Sequence, residues 1–385
     1  MKTIHKIHQK NSQFMDEIHD ESVDLVVTSP PYPMIEMWDG AFSRLNQQVE
    51  LDLRSGIGAN AFRKMHQELG KTWYEIHRVM KPGGIVCINI GDSTRSIGDF
   101  FQLFPSHAEI ISEFRKLGFV SLPEIIWRKQ TNAPNKFMGS GMLPPGAYVT
   151  LEHEFVLLFR KGGKREFESD EIKRLRQESS YFWEERNTWF SDIWDFKGTS
   201  QKINSDGSRE RSAAFPLEMA YRLVNMFSIK HDTVLDPFLG TGTTSIAAIA
   251  SRRNSIGYEI EPGLVELANE KILKSATMGN EIIITRIKNH LEFINSWIRE
   301  KEPPKYINMT YKFPVITSQE AFLMFDFLES VEKTGVNEFR GSYNEGGSFE
   351  FGTDLEEFQM LLEKLRIKKR ENKRLSEFLV SESQG

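Results

Sequence analysis

Three short runs, Val23–Thr28, Ile85–Ile90 and Thr233–Asp236, are apolar and β-branched along nearly their whole length rather than at every second position. A strand that is apolar on both faces must be buried on both, which happens in a parallel sheet covered by helices. The sequence supplies those helices. Spacing predicts them over about 60–80, 106–117, 216–229 and 243–251, with further strands at 121–128, 154–160 and 255–258. Breakers mark the changes of element, among them Lys81-Pro82-Gly83-Gly84, a Pro/Gly/Asn-rich stretch at 131–147 and Lys161-Gly162-Gly163-Lys164. The alternation predicts an α/β chain built on a doubly wound, mostly parallel sheet.

The 385 residues exceed one typical domain, and composition changes along them. Residues 161–186 turn strongly charged and lose strand character, which divides a core into 1–160 and 212–275, joined by a connecting segment, 161–211. Residues 276–385 form an added region, expected to be mainly helical, with a Gly/Asn/Ser stretch at 335–353. It ends in a basic helix expected from Leu355 to about Val380, holding Lys364, Arg366, Lys368, Lys369, Arg370, Lys373 and Arg374. Lys and Arg total 49 against 54 Asp and Glu, a net charge of −5, so a polyanionic partner would have to meet local basic patches. The lone cysteine, Cys87, excludes an intramolecular disulfide and a Cys-rich zinc site; no metal is expected, and a reducing compartment such as the cytoplasm fits. The opening residues Met1–Lys10 lack the apolar stretch of a leader, and no run approaches the roughly 18 apolar residues of a membrane span.

Two strands deliver unusual loops. Val23–Thr28 stops at Ser29-Pro30-Pro31-Tyr32, where the prolines end strand pairing and restrict the chain, holding acceptors and an aromatic ring in fixed geometry. Thr233–Asp236 runs into Asp236-Pro237-Phe238-Leu239-Gly240-Thr241-Gly242-Thr243-Thr244, a glycine turn that opens a helix. In a doubly wound sheet both loops lie at the carboxyl ends of strands, where ligands bind. The turn is not a phosphate loop, since Gly-Lys-Ser/Thr is missing, and it lacks the dinucleotide spacing. Glu259 follows the next strand, where a carboxylate commonly holds a ribose hydroxyl pair. Turn and carboxylate together point to a nucleoside-bearing cofactor, although either loop alone also suits an ordinary rigid turn.

The order of these features resembles the DNA amino-methyltransferases: Ser-Pro-Pro-Tyr after a strand, Lys-Pro-Gly-Gly before one, His153-Glu154 opening another, Phe215-Pro216 opening a helix, then Asp-Pro-Phe-x-Gly-x-Gly-Thr-Thr. With the proline loop ahead of the glycine turn, the order is similar to the beta group of that family, a circular permutation of the Rossmann-like class I methyltransferase fold. The resemblance spans about residues 10–275. It implies S-adenosylmethionine as cofactor, double-stranded DNA as substrate, and a cognate restriction endonuclease as partner. It further implies a catalytic loop of Ser29, Pro30, Pro31 and Tyr32. The cofactor would be wrapped by Asp236, Phe238, Gly240 and Gly242, with Thr243 beside them, Glu259 on its ribose and Phe215-Pro216 closing its methionine side. Where the family often carries Gly-Asp near the adenine, this chain has Lys10-Asn11-Ser12, which leaves Asn11 as the candidate.

The chemistry suits such residues. An exocyclic amine is a poor nucleophile because its lone pair is delocalised into the ring. Acceptors beside its N–H groups, here the Ser29 side chain and the Pro30 carbonyl, favour a pyramidal nitrogen, mainly in the transition state. The base has to leave the duplex to be reached, and Tyr32 is the expected stacking partner. Carbon-5 cytosine methylation needs a thiolate, whereas Cys87 lies in an apolar strand. Ser at the head of the loop is commoner with cytosine in the family, so N4 of cytosine is expected, with N6 of adenine as the alternative. A protein or RNA amide methylase would more often carry Asn-Pro-Pro-Tyr after the cofactor motif. A third alternative is a DNA-recognition module with a vestigial cofactor fold. DNA reading is expected from 161–211, from an insert at about 33–60 and from the tail. Trp183, Trp189 and Trp194 are expected in the core or at an interface.

Overall fold

The computed structural model describes residues 2–98, 100–129, 138–197 and 215–345. Strand β1 (Lys2–His8) alternates exposed and buried side chains, while β2 (Val23–Thr28) is buried at every position, including Asp24, whose carboxylate accepts from Lys81 Nζ at 2.8 Å. Short helices α1 (Asp39–Leu45) and α2 (Gln47–Arg54) precede α3 (Gly58–Val79), whose apolar residues recur every three or four positions and bury Phe62, Met65, Leu69, Trp73 and Ile76. Then come β3 (Met80–Ile90), the hairpin β4 (Ser93–Ile97) with β5 (Phe100–Phe104), α4 (Ser106–Lys116), β6 (Phe119–Ser121) and β7 (Ile125–Arg128). A second hairpin, β8 (Met138–Gly139) with β9 (Ala147–Tyr148), leads into β10 (His153–Lys161). The connecting segment holds α5 (Asp170–Glu178), α6 (Trp183–Trp189) and β11 (Ile193–Asp195). After it come α7 (Leu217–Phe227), β12 (Thr233–Asp236), α8 (Thr243–Ala250), β13 (Asn254–Tyr258) and α9 (Pro262–Leu273). Beyond it lie α10 (Ser275–Glu300), the small pair β14 (Tyr306–Ile307) and β15 (Pro314–Val315), and the long hairpin β16 (Asp326–Gly335) with β17 (Glu338–Glu345).

Eleven of these strands form one sheet in the order β11-β7-β10-β3-β2-β12-β13-β1-β17-β16, with β6 also on β10. Its centre, β3-β2-β12-β13-β1, is parallel; β10 and β17 pair antiparallel on either side. Trp73, Met65 and Phe114 pack α3 and α4 on one face, while Leu223, Val224 and Ala247 pack α7 and α8 on the other. This is the doubly wound, mixed sheet of a class I methyltransferase fold.

Several elements differ from expectation. Lys81–Gly84 belongs to β3 and is absorbed as an irregularity where the register against β2 jumps from Val23/Met80 to Leu25/Ile85. The strand expected over 121–128 splits into β6 and β7 around Pro123, which cannot donate to a ladder. Of the added region, α10 is joined by a hairpin that pairs β17 with β1, so strand as well as helix follows residue 276. The basic helix expected from Leu355 to Val380 lies outside the described residues. Trp189 and Trp194 are buried against the sheet, and half-buried Trp183 packs on Phe293 and Trp297 of α10. Among the described residues no helix is long and apolar enough to cross a membrane.

Candidate active site

Because β2 and β12 are parallel neighbours, the loops that follow them leave the same edge of the sheet. A carboxylate ties them together. Thr28, the last residue of β2, donates its hydroxyl to Asp236 Oδ1 at 2.6 Å; Thr244 of α8 donates to Oδ2 at 2.7 Å and the Phe238 N–H to Oδ1 at 3.0 Å. Burial pushes the Asp236 carboxyl up to about 6, against the lowering effect of those three donors.

A cleft of about 220 Å³ opens between the loops. Asn11, Ser29, Pro30 and Pro31 line it from the N-terminal half, and Phe215, Asp236, Phe238, Gly240, Thr243 and Glu259 from the C-terminal half. Ten of the thirteen candidate residues thus share one cleft, whereas Tyr32, Pro216 and Gly242 do not line it. Gly242 has φ of 87°, and a Cβ there would meet the Ala268 Cβ at 3.2 Å; its glycine is needed to start α8 beneath α9. Pro216 is the residue that begins α7. Glu259 Oε2 accepts the Gly240 N–H at 2.9 Å, and Oε1 accepts the N–H groups of Ile260 and Glu261, each at 2.9 Å. Its carboxyl is held above the usual range by burial. Oε2 keeps a lone pair for a hydroxyl donor. Asn11 accepts the Gln13 N–H at 3.0 Å, a turn that fixes its side chain at the rim.

The loop Ser29–Tyr32 is wired to two residues to which the motifs assign no role. Ser29 Oγ donates to Tyr32 Oη at 3.2 Å, Tyr32 Oη donates to Glu154 Oε2 at 2.9 Å, and Asn89 Nδ2 donates to both, each at 2.8 Å. Lys129 caps the other carboxylate oxygen at 2.9 Å. Burial, and then the Glu154 charge, push the Tyr32 hydroxyl well above its ordinary range. The available signal is Asn89, a polar side chain inside the apolar run Ile85–Ile90, since a buried amide needs partners. Cys87, two residues before it, is buried with Leu25 and Val27, and burial raises its thiol far from reactivity.

The insert at 33–60 supplies the far wall of the cleft. Trp38, Phe42 and Leu45 line it, and Arg44 pairs with Glu261 at 2.9 Å across its mouth. Their spacing, i, i+4 and i+7, is the apolar stripe of a helix that covers something. From the other side α3 contributes Glu68, Leu69 and Thr72.

A family profile described as DNA methylase, of the N6/N4 group, matches residues 23–270. The chain belongs to that family. It is 52% identical to the Type II methyltransferase M.MthZI of Methanothermobacter thermautotrophicus, over 90% of this chain and 96% of that one. It is 49% identical to the Type II methyltransferase M.MjaI of Methanocaldococcus jannaschii, over 76% and 97%. Among solved structures, the DNA modification methylase TTHA0409 of Thermus thermophilus, complexed with S-adenosyl-L-methionine, is 33% identical with a TM-score of 0.54, covering 70% of this chain and 95% of that chain. This protein is therefore a DNA methyltransferase, and S-adenosylmethionine, the methyl donor of its family, is its cofactor.

Proposed function

We propose that this enzyme methylates the N4 amine of a cytosine swung out of duplex DNA. The Ser29 hydroxyl supports methylation of an amine, since it donates to Tyr32 Oη at 3.2 Å and keeps its oxygen as an acceptor in the cleft that it lines, and a serine at the head of this loop is what favours cytosine over adenine. A serine held this way, beside the Pro30 carbonyl, is a pair of neutral acceptors for the two N–H groups of an amine.

The residues present suit the cofactor. Glu259 offers a lone pair to a ribose diol, Gly240 leaves the backbone bare beside it, and Phe238, Phe215 and Trp38 give apolar walls. Asp236 lines the same cleft and Asn11 its rim. When bound there, S-adenosylmethionine supplies an electrophilic methyl group. Ser29 and Pro30 hold the target nitrogen so that its lone pair, drawn out of the ring, faces that methyl carbon. As the new C–N bond formed, the donor's S–CH3 bond would break with its electron pair left on sulfur, and the nitrogen would become acidic. One of its protons passes to Ser29 Oγ while the Ser29 proton moves to Tyr32 Oη and the Tyr32 proton to Glu154. Lys129 and Asn89 hold the Glu154 carboxylate in place throughout. No strong base is required.

The similarity to two Type II methyltransferases supports a role in protecting DNA from a restriction endonuclease of matching site. Nucleoside analysis of DNA methylated by the purified enzyme tests the base. N4-methylcytosine is expected, and N6-methyladenine without it would overturn the assignment. Transfer of tritium from labelled cofactor to duplex DNA tests catalysis itself. Ser29→Ala is expected to lose transfer while retaining cofactor binding.

A further inference from the structure

Two hairpins leave the catalytic edge of the sheet. The β4–β5 hairpin follows the end of β3, and the β8–β9 hairpin lies between the end of β7 and the start of β10, where His153 pairs with Arg128 and Phe155 with Ile90. The first is fixed to the catalytic loop: Ser93 Oγ donates to the Pro33 carbonyl at 3.0 Å, and Arg95 donates to the Met34 carbonyl at 3.4 Å. The second is fixed to the first by Tyr148, whose ring stacks on Phe101 with centroids 4.8 Å apart.

Both present apolar side chains to solvent. Phe100 is 76% exposed, Met142 83%, Leu143 71% and Val149 87%. Large apolar side chains exposed together on two linked hairpins suit a contact site. Its shape is held from within. The Ser140 N–H donates to the Gly146 carbonyl at 2.9 Å, and a Cβ on Gly139 would clash with that same oxygen, so Met142 and Leu143 stand on a closed turn. Residues 138–151 carry no charged side chain. The loop therefore sets no carboxylate against a polyanion beside the catalytic loop.

We propose that the linked tips of these hairpins, led by Met142 and Leu143, form an apolar wedge that enters the DNA stack as the target base leaves it. Continuity with Ser29–Tyr32 selects DNA over another occupant, because a duplex whose base reaches the cleft must lie across this edge. Apolar side chains between base steps offset lost stacking, which is the cost of extruding a base. The proposal rests on the flipped-base reading above.

The test uses two duplexes containing the site found by sequencing methylated DNA, one fully paired and one with the target base opposite an abasic position, so that little pairing is left to break. Met142→Ala/Leu143→Ala is expected to melt at the wild-type temperature and to methylate the paired duplex about 10- to 100-fold more slowly. On the abasic duplex it is expected to come within about threefold of wild type. Equal loss on both duplexes, or no loss on the paired one, would overturn the wedge. So would a sedimentation shift showing that the variant separates two copies of the chain. Wild-type enzyme is also mixed with a duplex carrying 2-aminopurine next to the target base. A fluorescence rise reports extrusion; its absence removes the flipped-base reading, whatever the variant does.

Discussion

Deleting one oxygen atom tests how the catalytic loop is held. In Tyr32→Phe the ring and its packing against Gly91 stay, but the hydroxyl that accepts from Ser29 and Asn89 and donates to Glu154 is gone. Asn89 still reaches Glu154 directly at 2.8 Å and Lys129 still caps the other oxygen, so the carboxylate is not orphaned. Ser29 is the group left without an acceptor, free to turn its proton toward the target amine and repel it. The bond that Ser29 loses, to a neutral hydroxyl, is worth about 0.5–1.5 kcal/mol. At about 1.4 kcal/mol per decade, that lowers kcat about 2- to 12-fold if it acts in the transition state. Cofactor affinity should stay within about twofold, since Tyr32 does not line the cleft. Single-turnover tritium transfer with saturating DNA reads the rate, and titration calorimetry with S-adenosylmethionine reads the affinity. An unchanged rate would show that Ser29 needs no hydroxyl partner and that the proton leaves by another route.

Asp236 makes a pH prediction. Its carboxyl is raised in the fold to about 6 from an ordinary 3.8, so the folded state holds the proton more tightly, and the group costs stability once pH exceeds the unfolded value. The cost grows between about pH 4 and 6 and is full above 6, at most about 3 kcal/mol. Urea titrations of Asp236→Asn should therefore show the variant gaining on wild type across that window, and parallel pH profiles would contradict the burial argument. Cys87→Ala should keep methyl transfer within about twofold and lose about 1 kcal/mol, the value of one buried heavy atom; a large loss of transfer at equal stability would reopen thiol chemistry. Arg286 of α10 makes a bidentate pair with Glu185 of α6, at 2.5 and 2.6 Å, and donates to Tyr221 at 3.0 Å. Arg286→Met strands that carboxylate and should cost about 3–5 kcal/mol by denaturant unfolding, whereas Glu185→Gln/Arg286→Met should recover part of the loss.

The parallel core is legible in the sequence because its strands are uniformly apolar, and the two loops because prolines and glycines leave few backbone choices. β1 is not, because Lys2–His8 holds two isoleucines among five charged or polar residues and looks like surface; its place is set by β13 and β17, more than 240 residues away. The hairpin of β16 and β17 escapes for a related reason, since Glu, Lys and Ser fill its outward positions. At the site, motif residues mark where chemistry happens but not what steadies it. Glu154 is visible in sequence only as half of a strand-opening pair, and the antiparallel pairing of β10 on β3 is what sets it beside Asn89 and Tyr32. The place of the insert at 33–60 over the cleft is legible as well, in the apolar stripe of Trp38, Phe42 and Leu45.

The placement of β1 bears on how the chain is made. In chain order β2 follows β1, yet in the finished sheet β12 and β13 stand between them, encoded more than 200 residues later. Early pairing of β1 with β2 would have to be undone before the glycine turn could reach the proline loop. The alternating, half-polar face of β1 makes that early pairing poor, since it buries one row of side chains where β2 demands two. The cleft between the proline loop and the glycine turn can therefore close only once the segments carrying Asp236 and Glu259 are in place, more than 200 residues along the chain from β2.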